Sequence, residues 1–323
     1  AGQQTRALSW PAGEPLADFV DAFRQRSFLI AQRELTADGW RLETPAVLRL
    51  MEKLRRAGRP LGEYVNGRLY RGIITGLNQA MVVDGATRKW LIAEHPSSTT
   101  VLKPFLRGRD VKRWQVQFAD QYLIKIESSE NRRHPWSGKP AAEAERIFTA
   151  TYPAIHQHLQ AFRADLIQRD DQGHYFWELR SCAFWDEFAL QKIILPAIAP
   201  TVAYAADSTG YVTNDKSSIV VTNSVHYLLG SLNSNLLWWY IRQTAASRQG
   251  GFYEFKPMYV SQLPIIEGKD QTQIEQFVKA ILAAKAENPA ADVRALEAEI
   301  DQRVYALYGL TAEEIRIVEG ETR

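Results

Sequence analysis

The sequence predicts an α+β fold, a mixed β-sheet body flanked by N-terminal connector helices and a C-terminal helical part. Three observations carry this. Apolar residues recur at helical spacing across residues 16–57, as in Phe19, Val20 and Phe23 and again in Val47, Leu48, Leu50, Met51 and Leu54. From Leu61 the texture changes to short β-branched and aromatic runs between turn dipeptides, and beyond residue 267 it is helical again. The expected partition is therefore 1–60, 61–266 and 267–323.

Each element has its own signal. Arg59-Pro60 punctuates the end of the connector. Strands and hairpins are expected from Leu61 to Ile126, in Gly72–Thr75, Ala80–Val83 and Gln121–Ile126, separated by Asn-Gly, Asp-Gly and Arg-Gly turns. Polar residues from Glu127 to Lys139 predict an exposed loop, and a helix follows over Ala141–Arg169, interrupted near Tyr152-Pro153 because proline lacks the helical N–H. Strand texture returns in Lys192–Ile198, Val202–Ala205, Tyr211–Thr213 and Ser218–Val221. An amphipathic helix over Ser224–Arg242, a glycine-led extended piece to Pro264, and two helices split at Asn288-Pro289 complete the chain.

Composition narrows the function classes. Of 323 residues, 46% are hydrophobic and 24% charged, an ordinary globular balance. Cys182 is the single cysteine, so no intrachain disulfide forms and a cytoplasmic protein is the expectation. The longest apolar stretch, Tyr227–Ile241, is too short and polar to span a bilayer, and residues 1–10 lack the pattern of a secretory signal. The chain opens on Ala1 rather than Met, as an excised fragment would.

The net charge is only +2, but it is unevenly distributed. Residues 267–323 hold 7 Lys and Arg against 12 Asp and Glu, whereas Arg88–Arg113 holds seven cations against two anions. Such asymmetry is what a footprint on a polyanion requires, although a solvated surface can also cluster charge.

Motifs for catalysis are missing. Gly138-Lys139 is followed by Pro140, which offers neither the hydroxyl nor the amide donor of a phosphate loop. There is no Gly-x-Gly-x-x-Gly for a dinucleotide and no Gly-x-Ser-x-Gly elbow. His156 and His158, two apart on a helix, diverge too far to share a metal and read as surface residues. Cys182 reads as a small buried apolar residue. Neither a Pro-Asp with Glu-x-Lys nuclease set nor the Asn-Pro-Pro-Tyr-like motif that grips an extruded adenine occurs.

The candidate binding residues fall in two sets. Lys103, Arg107, Arg109, Lys112 and Arg113 place five cations in eleven residues around Gly108. Arginine pairs bidentately with guanine, and both residue types neutralise phosphates. The alternative is an Arg–Asp network tied by Asp110. Arg71, Thr75, Asn78 and Gln79 form the second set, on a loop that Gly72 and Gly76 make conformationally flexible, with amides suited to the edge of adenine. Here the alternative is a glycine-punctuated hairpin with a purely architectural role. Arg132, Arg133 and Lys256 are further backbone contacts, and Trp136 and Tyr253 either stack on bases or pack.

Five ordered blocks carry a resemblance. They are Leu61–Ala80, the run Leu102-Lys-Pro-Phe-Leu-Arg-Gly-Arg-Asp-Val-Lys-Arg-Trp114, Trp177–Cys182, Lys192–Pro196 and Gly250–Pro264, followed by a tail at Glu299–Leu310. Together they resemble the TaqI-like C-terminal target-recognition region of type IIG restriction–modification enzymes and adenine-specific DNA methyltransferases. More distantly, the opening at Leu61-Gly62 and the exit through Gln262–Ile265 resemble one recognition unit of a type I specificity subunit.

The resemblance implies a double-stranded DNA partner and a methyltransferase core N-terminal to this region in the same polypeptide. That core would bind S-adenosylmethionine; this fragment would hold no cofactor and perform no methylation or cleavage itself. The competing expectation is a protein-interaction or scaffold module in which the basic cluster meets an acidic partner.

Overall fold

The computed structural model describes residues 3–8, 10, 18–35, 40, 42–267 and 271–320. Ala1 and parts of the expected helical stretch 16–57 lie outside these residues. Within that stretch a helix spans Phe19–Arg26, but Phe28–Ala31 is a strand, paired antiparallel with Gln4–Ala7. Local periodicity gives no sign of this pairing, because its partner lies more than twenty residues earlier.

The helix Pro45–Ala57 begins as its sequence dictates. Thr44 caps it by accepting from the Val47 N–H, and Pro45 supplies a preset φ at the first turn. Leu50, Met51 and Leu54 make its buried face. Gly58 then passes so close to the backbone of Pro264 and Ile265 that no side chain would fit. There Arg59–Pro60 pairs antiparallel with Pro264–Ile265, clasping the two ends of the central body together.

That body contains two four-stranded sheets. In the first the order is Ala205–Asp207, Lys192–Pro196, Ser217–Val221, Leu69–Arg71, with every pairing antiparallel. Lys192–Pro196 and Ser217–Val221 are buried along their whole length. Side chains of a strand alternate between faces, so Ile193, Leu195 and Val220 enter one core while Ile194, Ile219 and Val221 enter another. Lys192, at the strand's start, is also buried, and its ammonium meets the Asp207 carboxylate at 2.5 Å.

In the second sheet the order is Val212–Thr213, Leu102–Leu106, Gln121–Ile124, Val82–Asp84. Val212–Thr213 runs parallel to its neighbour, and the other pairings are antiparallel. The stretch 61–126 is not all strand. Gly85–Glu94 is a helix capped by Asp84, whose carboxylate accepts from the Thr87 N–H at 2.8 Å. Gly72–Thr75 is not a strand either: the strand is Leu69–Arg71, and Ile73 only bridges to Asn214.

The helical run after residue 140 restarts at Pro153, as expected, and breaks again before Arg163, giving Ala141–Thr151, Pro153–Gln160 and Arg163–Gln168. The single helix expected over Ser224–Arg242 is two, Val225–Leu232 and Asn235–Thr244. Asn233 breaks it by turning its amide to the backbone of Tyr204, at 3.2 Å to the N–H and 3.1 Å to the carbonyl, and Ser234 caps the second helix. These helices are buried on nearly all sides, because the sheet lies on one side and Gln271–Glu287 and Arg294–Leu307 on the other. One core thus joins Leu54 of the connector, Ile193 of the sheet and Ile274, Val278 and Ile300 of the last helices.

Candidate nucleic-acid interface

The cation-rich run 103–113 leaves its strand at Leu106, makes a single turn over Gly108–Asp110 and continues as the short hairpin Val111–Lys112 with Gln115–Val116. Folding sorts its five cations. Asp110 is buried, and it holds Arg107 through the backbone N–H at 2.8 Å, Nε at 3.1 Å and Nη2 at 3.2 Å. The Arg–Asp network of the alternative reading therefore accounts for Arg107. Arg113 turns inward to Glu297 at 2.9 Å and to the carbonyl of Asn233 at 2.9 Å. Lys103 is half-buried on its strand opposite Leu123. Arg109 and Lys112 are exposed, with no carboxylate partner among the described residues.

Arg109 and Lys112 stand at the edge of a groove of about 510 Å³. Its floor is apolar, formed by Val111 and the segment Pro196–Thr201, and Lys216 and Phe252 complete the wall. None of the lining side chains is acidic. Among the described residues, Lys216 forms an ion pair only with its own neighbour Asp215. Cations held beside a low-dielectric wall with no counter-charge focus the local potential toward an anion.

Phe252, 40% exposed, belongs to the hairpin Ser247–Arg248 with Phe252–Glu254, which adds to Ile198–Ala199. Its tip needs glycine: Gly250 and Gly251 have φ of 80° and 77°, where a side chain is strained. Glu254 gathers Arg248 and, at 3.1 Å, Lys256, and the two cations lower its pKa. Lys256 thus sits beside the groove wall already paired.

The second set sits on a braced loop. Arg71, Asn78 and Gln79 are exposed, while Thr75 is 4% exposed. Its hydroxyl donates to Asn78 Oδ1 at 2.7 Å, and its carbonyl accepts from the buried Arg169 at 2.7 Å. Arg169 also donates to the carbonyls of Phe176 and Glu178, and burial pulls its pKa down to about 10. The structure gives Thr75 the position of a brace, with the exposed amides beside it.

One turn, Thr213–Ser217, joins the two sets. Gly72 donates its N–H to Ser217 and Ile73 to Thr213, both at 2.8 Å. Asn214 Oδ1 accepts from the Gly108 N–H at 3.2 Å and from the Lys216 N–H at 3.3 Å. A Cβ on Gly72 would overlap the Asn214 carbonyl, and one on Gly108 would overlap that of Lys216. Gly108 is therefore required by this packing. Sequence reasoning missed Asn214, Lys216 and Arg169; the signal for the first two was the turn-forming Asn-Asp-Lys between strand runs.

The polar loop from Glu127 is pinned rather than loose. Arg132 is exposed and pairs with Glu127 at 3.3 Å, and Arg133 is exposed with no described partner. The buried Glu178 carboxylate accepts from the Ser129 N–H at 3.0 Å, Trp136 Nε1 at 2.9 Å and the His174 N–H at 2.9 Å. Trp136 is accordingly core, and Tyr253 packs edge-on against Trp238. His156 and His158 are half-buried rather than surface residues: His156 meets Glu145, and His158 meets the Ala80 carbonyl at 2.9 Å, burial lowering its pKa. Cys182 is half-buried, and burial raises its thiol pKa.

The cation-rich run and the groove beside it fall inside the TaqI-like C-terminal specificity domain, whose family model matches residues 103–265, and the chain belongs to that family; the loop carrying Arg71 to Gln79 precedes the matched residues. Among solved structures it is similar to the Type IIL restriction-modification enzyme MmeI in complex with DNA, with a TM-score of 0.51 and 13% identity over 78% of this chain. At that identity the likeness is one of fold. The chain spans about a third of the length of that structure, covering 34% of it. No curated protein matches. Among the described residues, no helix is long and apolar enough to cross a membrane.

Proposed function

We propose that this chain is the DNA-reading module of a restriction–modification enzyme and that the groove bounded by Arg109, Lys112 and Lys216 faces the duplex. The observation that carries the reading is a groove with no acidic lining residue, two cations without a carboxylate partner among the described residues and a third paired only with its neighbour among them. Family membership and the fold it shares with a DNA-bound enzyme support it. Phosphate neutralisation falls to Arg109, Lys112 and Lys216, with Lys103, Arg132, Arg133 and Lys256 contributing at the margins. Asn78 and Gln79 are the base-reading candidates, Arg71 beside them is a further DNA contact, and Thr75, Arg107 and Arg113 hold the surface in shape.

In this reading residues 61–266 form the recognition domain, 1–60 the connector and 267–323 a helical buttress. A catalytic core of the same cytoplasmic polypeptide, of the type IIG kind, carries S-adenosylmethionine and methylates adenine, with or without cleavage, in defence against phage. The test is fluorescence anisotropy of a labelled duplex pool at low salt. Salt-sensitive binding by the wild-type chain that is lost in R109A/K112A supports the reading. Equal signals from both proteins reject it, and a salt-independent absence of binding coupled with capture of a stable acidic protein favours the scaffold alternative.

A further inference from the structure

A second, smaller cleft of about 240 Å³ opens beside Gly72, lined by Arg71, Arg180, Ser181, Cys182 and Trp185 among others. Its polar side chains are donors. Arg71 is exposed and has no partner among the described residues. Arg180 gives one nitrogen to Asp171 at 2.8 Å and is otherwise half exposed. Trp185 is 4% exposed, and its indole N–H is buried without an acceptor among the described residues. A buried donor left unpaired is destabilising, so an acceptor reaching it through the cleft recovers that loss. No carboxylate lines the cleft.

From these donors we infer that the cleft seats one phosphate group of the DNA backbone, bound by Arg71, Arg180 and the Trp185 N–H. The seat rests on the proposed DNA reading for the source of its phosphate. Gly72 belongs both to this cleft and to the cradle of the Thr213–Ser217 turn, and Lys216 on the far side of that turn lines the larger groove. One strand of a duplex lying along the groove would therefore continue over the turn into the cleft. A planar guanidinium suits phosphate oxygens, and a fixed N–H donor adds direction.

The test uses the full chain and the variants R180Q and W185F, neither of which touches the larger groove. Duplex affinity is measured across a salt series. R180Q is expected to lower the slope of log K against log salt by about one, the signature of one lost phosphate contact, equally for unrelated sequences. W185F removes the N–H together with part of the buried indole, so it is expected to weaken binding about tenfold at low salt and to lower the thermal midpoint modestly, whereas R180Q, at a half-exposed side chain, leaves the midpoint near wild type. If both variants keep wild-type affinity and slope while R109A/K112A loses binding, the seat is wrong and the DNA reading stands. If the wild-type chain binds no duplex, inorganic phosphate is titrated while the Trp185 indole N–H is followed by NMR. A saturating shift, absent in W185F, then keeps the seat for a free phosphate and drops the DNA reading; no shift overturns the seat as well.

Discussion

The α-carbon of Gly108 lies against the carbonyl oxygen of Lys216, 108 residues away, leaving no room for a side chain. The contact locks the arginine-rich turn to the Asn214–Lys216 turn and so sets the width of the groove between them. A methyl group at 108 must push two backbones apart, because neither neighbour is a flexible side chain. G108A is expected to cost about 1 to 3 kcal/mol, the usual penalty for overpacking. It should also lower DNA affinity beyond the effect of R109A alone, which paired thermal melts and anisotropy titrations would check.

Arg109 and Arg113 separate binding from stability. Arg113 links the hairpin to Glu297 and to Asn233, whereas Arg109 touches neither. R113A is expected to lower stability by about 1 to 3 kcal/mol, since it removes hydrogen bonds made by a charged group. R109A should leave the free energy of unfolding in urea within about 0.5 kcal/mol of wild type, as exposed substitutions do. The reverse order in equilibrium unfolding would contradict this division.

Arg169 tests whether the 72–79 loop must be held rigid. Its planar fork reaches three carbonyls at once, those of Thr75, Phe176 and Glu178, a geometry that one ammonium does not reproduce. R169K is expected to keep the charge yet lower both the melting midpoint and sequence discrimination by the parent enzyme. Hydrogen exchange at Gly76–Gln79 should rise in the variant; unchanged protection there would refute the brace.

Asp301 gives a pH signature. It is buried beneath the start of the helix Asn235–Thr244, where it accepts the Asn235 N–H at 2.7 Å, and burial raises its pKa from 3.8 to about 6. A carboxyl whose folded pKa is raised binds its proton more tightly in the folded state. Its contribution is therefore most favourable below pH 3.8, weakens as pH rises through 6, and is a constant penalty above that, on the order of 3 kcal/mol. D301N keeps an acceptor without the charge, so its stability relative to wild type should increase between pH 4 and pH 7. A difference that stays flat over that range would refute the assignment.

Much of the architecture was legible in residue patterns. The connector helix announced itself through the spacing of Val47, Leu50, Met51 and Leu54, and the two central strands through their β-branched runs. The break at Pro153 followed from its missing N–H. The pairing of Phe28–Ala31 with Gln4–Ala7, the helix Gly85–Glu94 and the division at Asn233 were not legible. Each depends on a partner distant in sequence or on a cap whose local propensities are weak.

Residue order alone was enough for the α+β class, the ordered blocks of a recognition domain and the neighbourhood of its cations, because periodicity, turn chemistry and local charge are short-range properties. Which cations remain free is another matter. Asp110 takes Arg107, Glu297 takes Arg113, and Lys216 arrives beside Arg109 and Lys112 only when the Thr213–Ser217 turn closes on Gly72 and Gly108. Ion pairing and concavity arise from through-space contacts between distant segments, so the groove came into being with the fold.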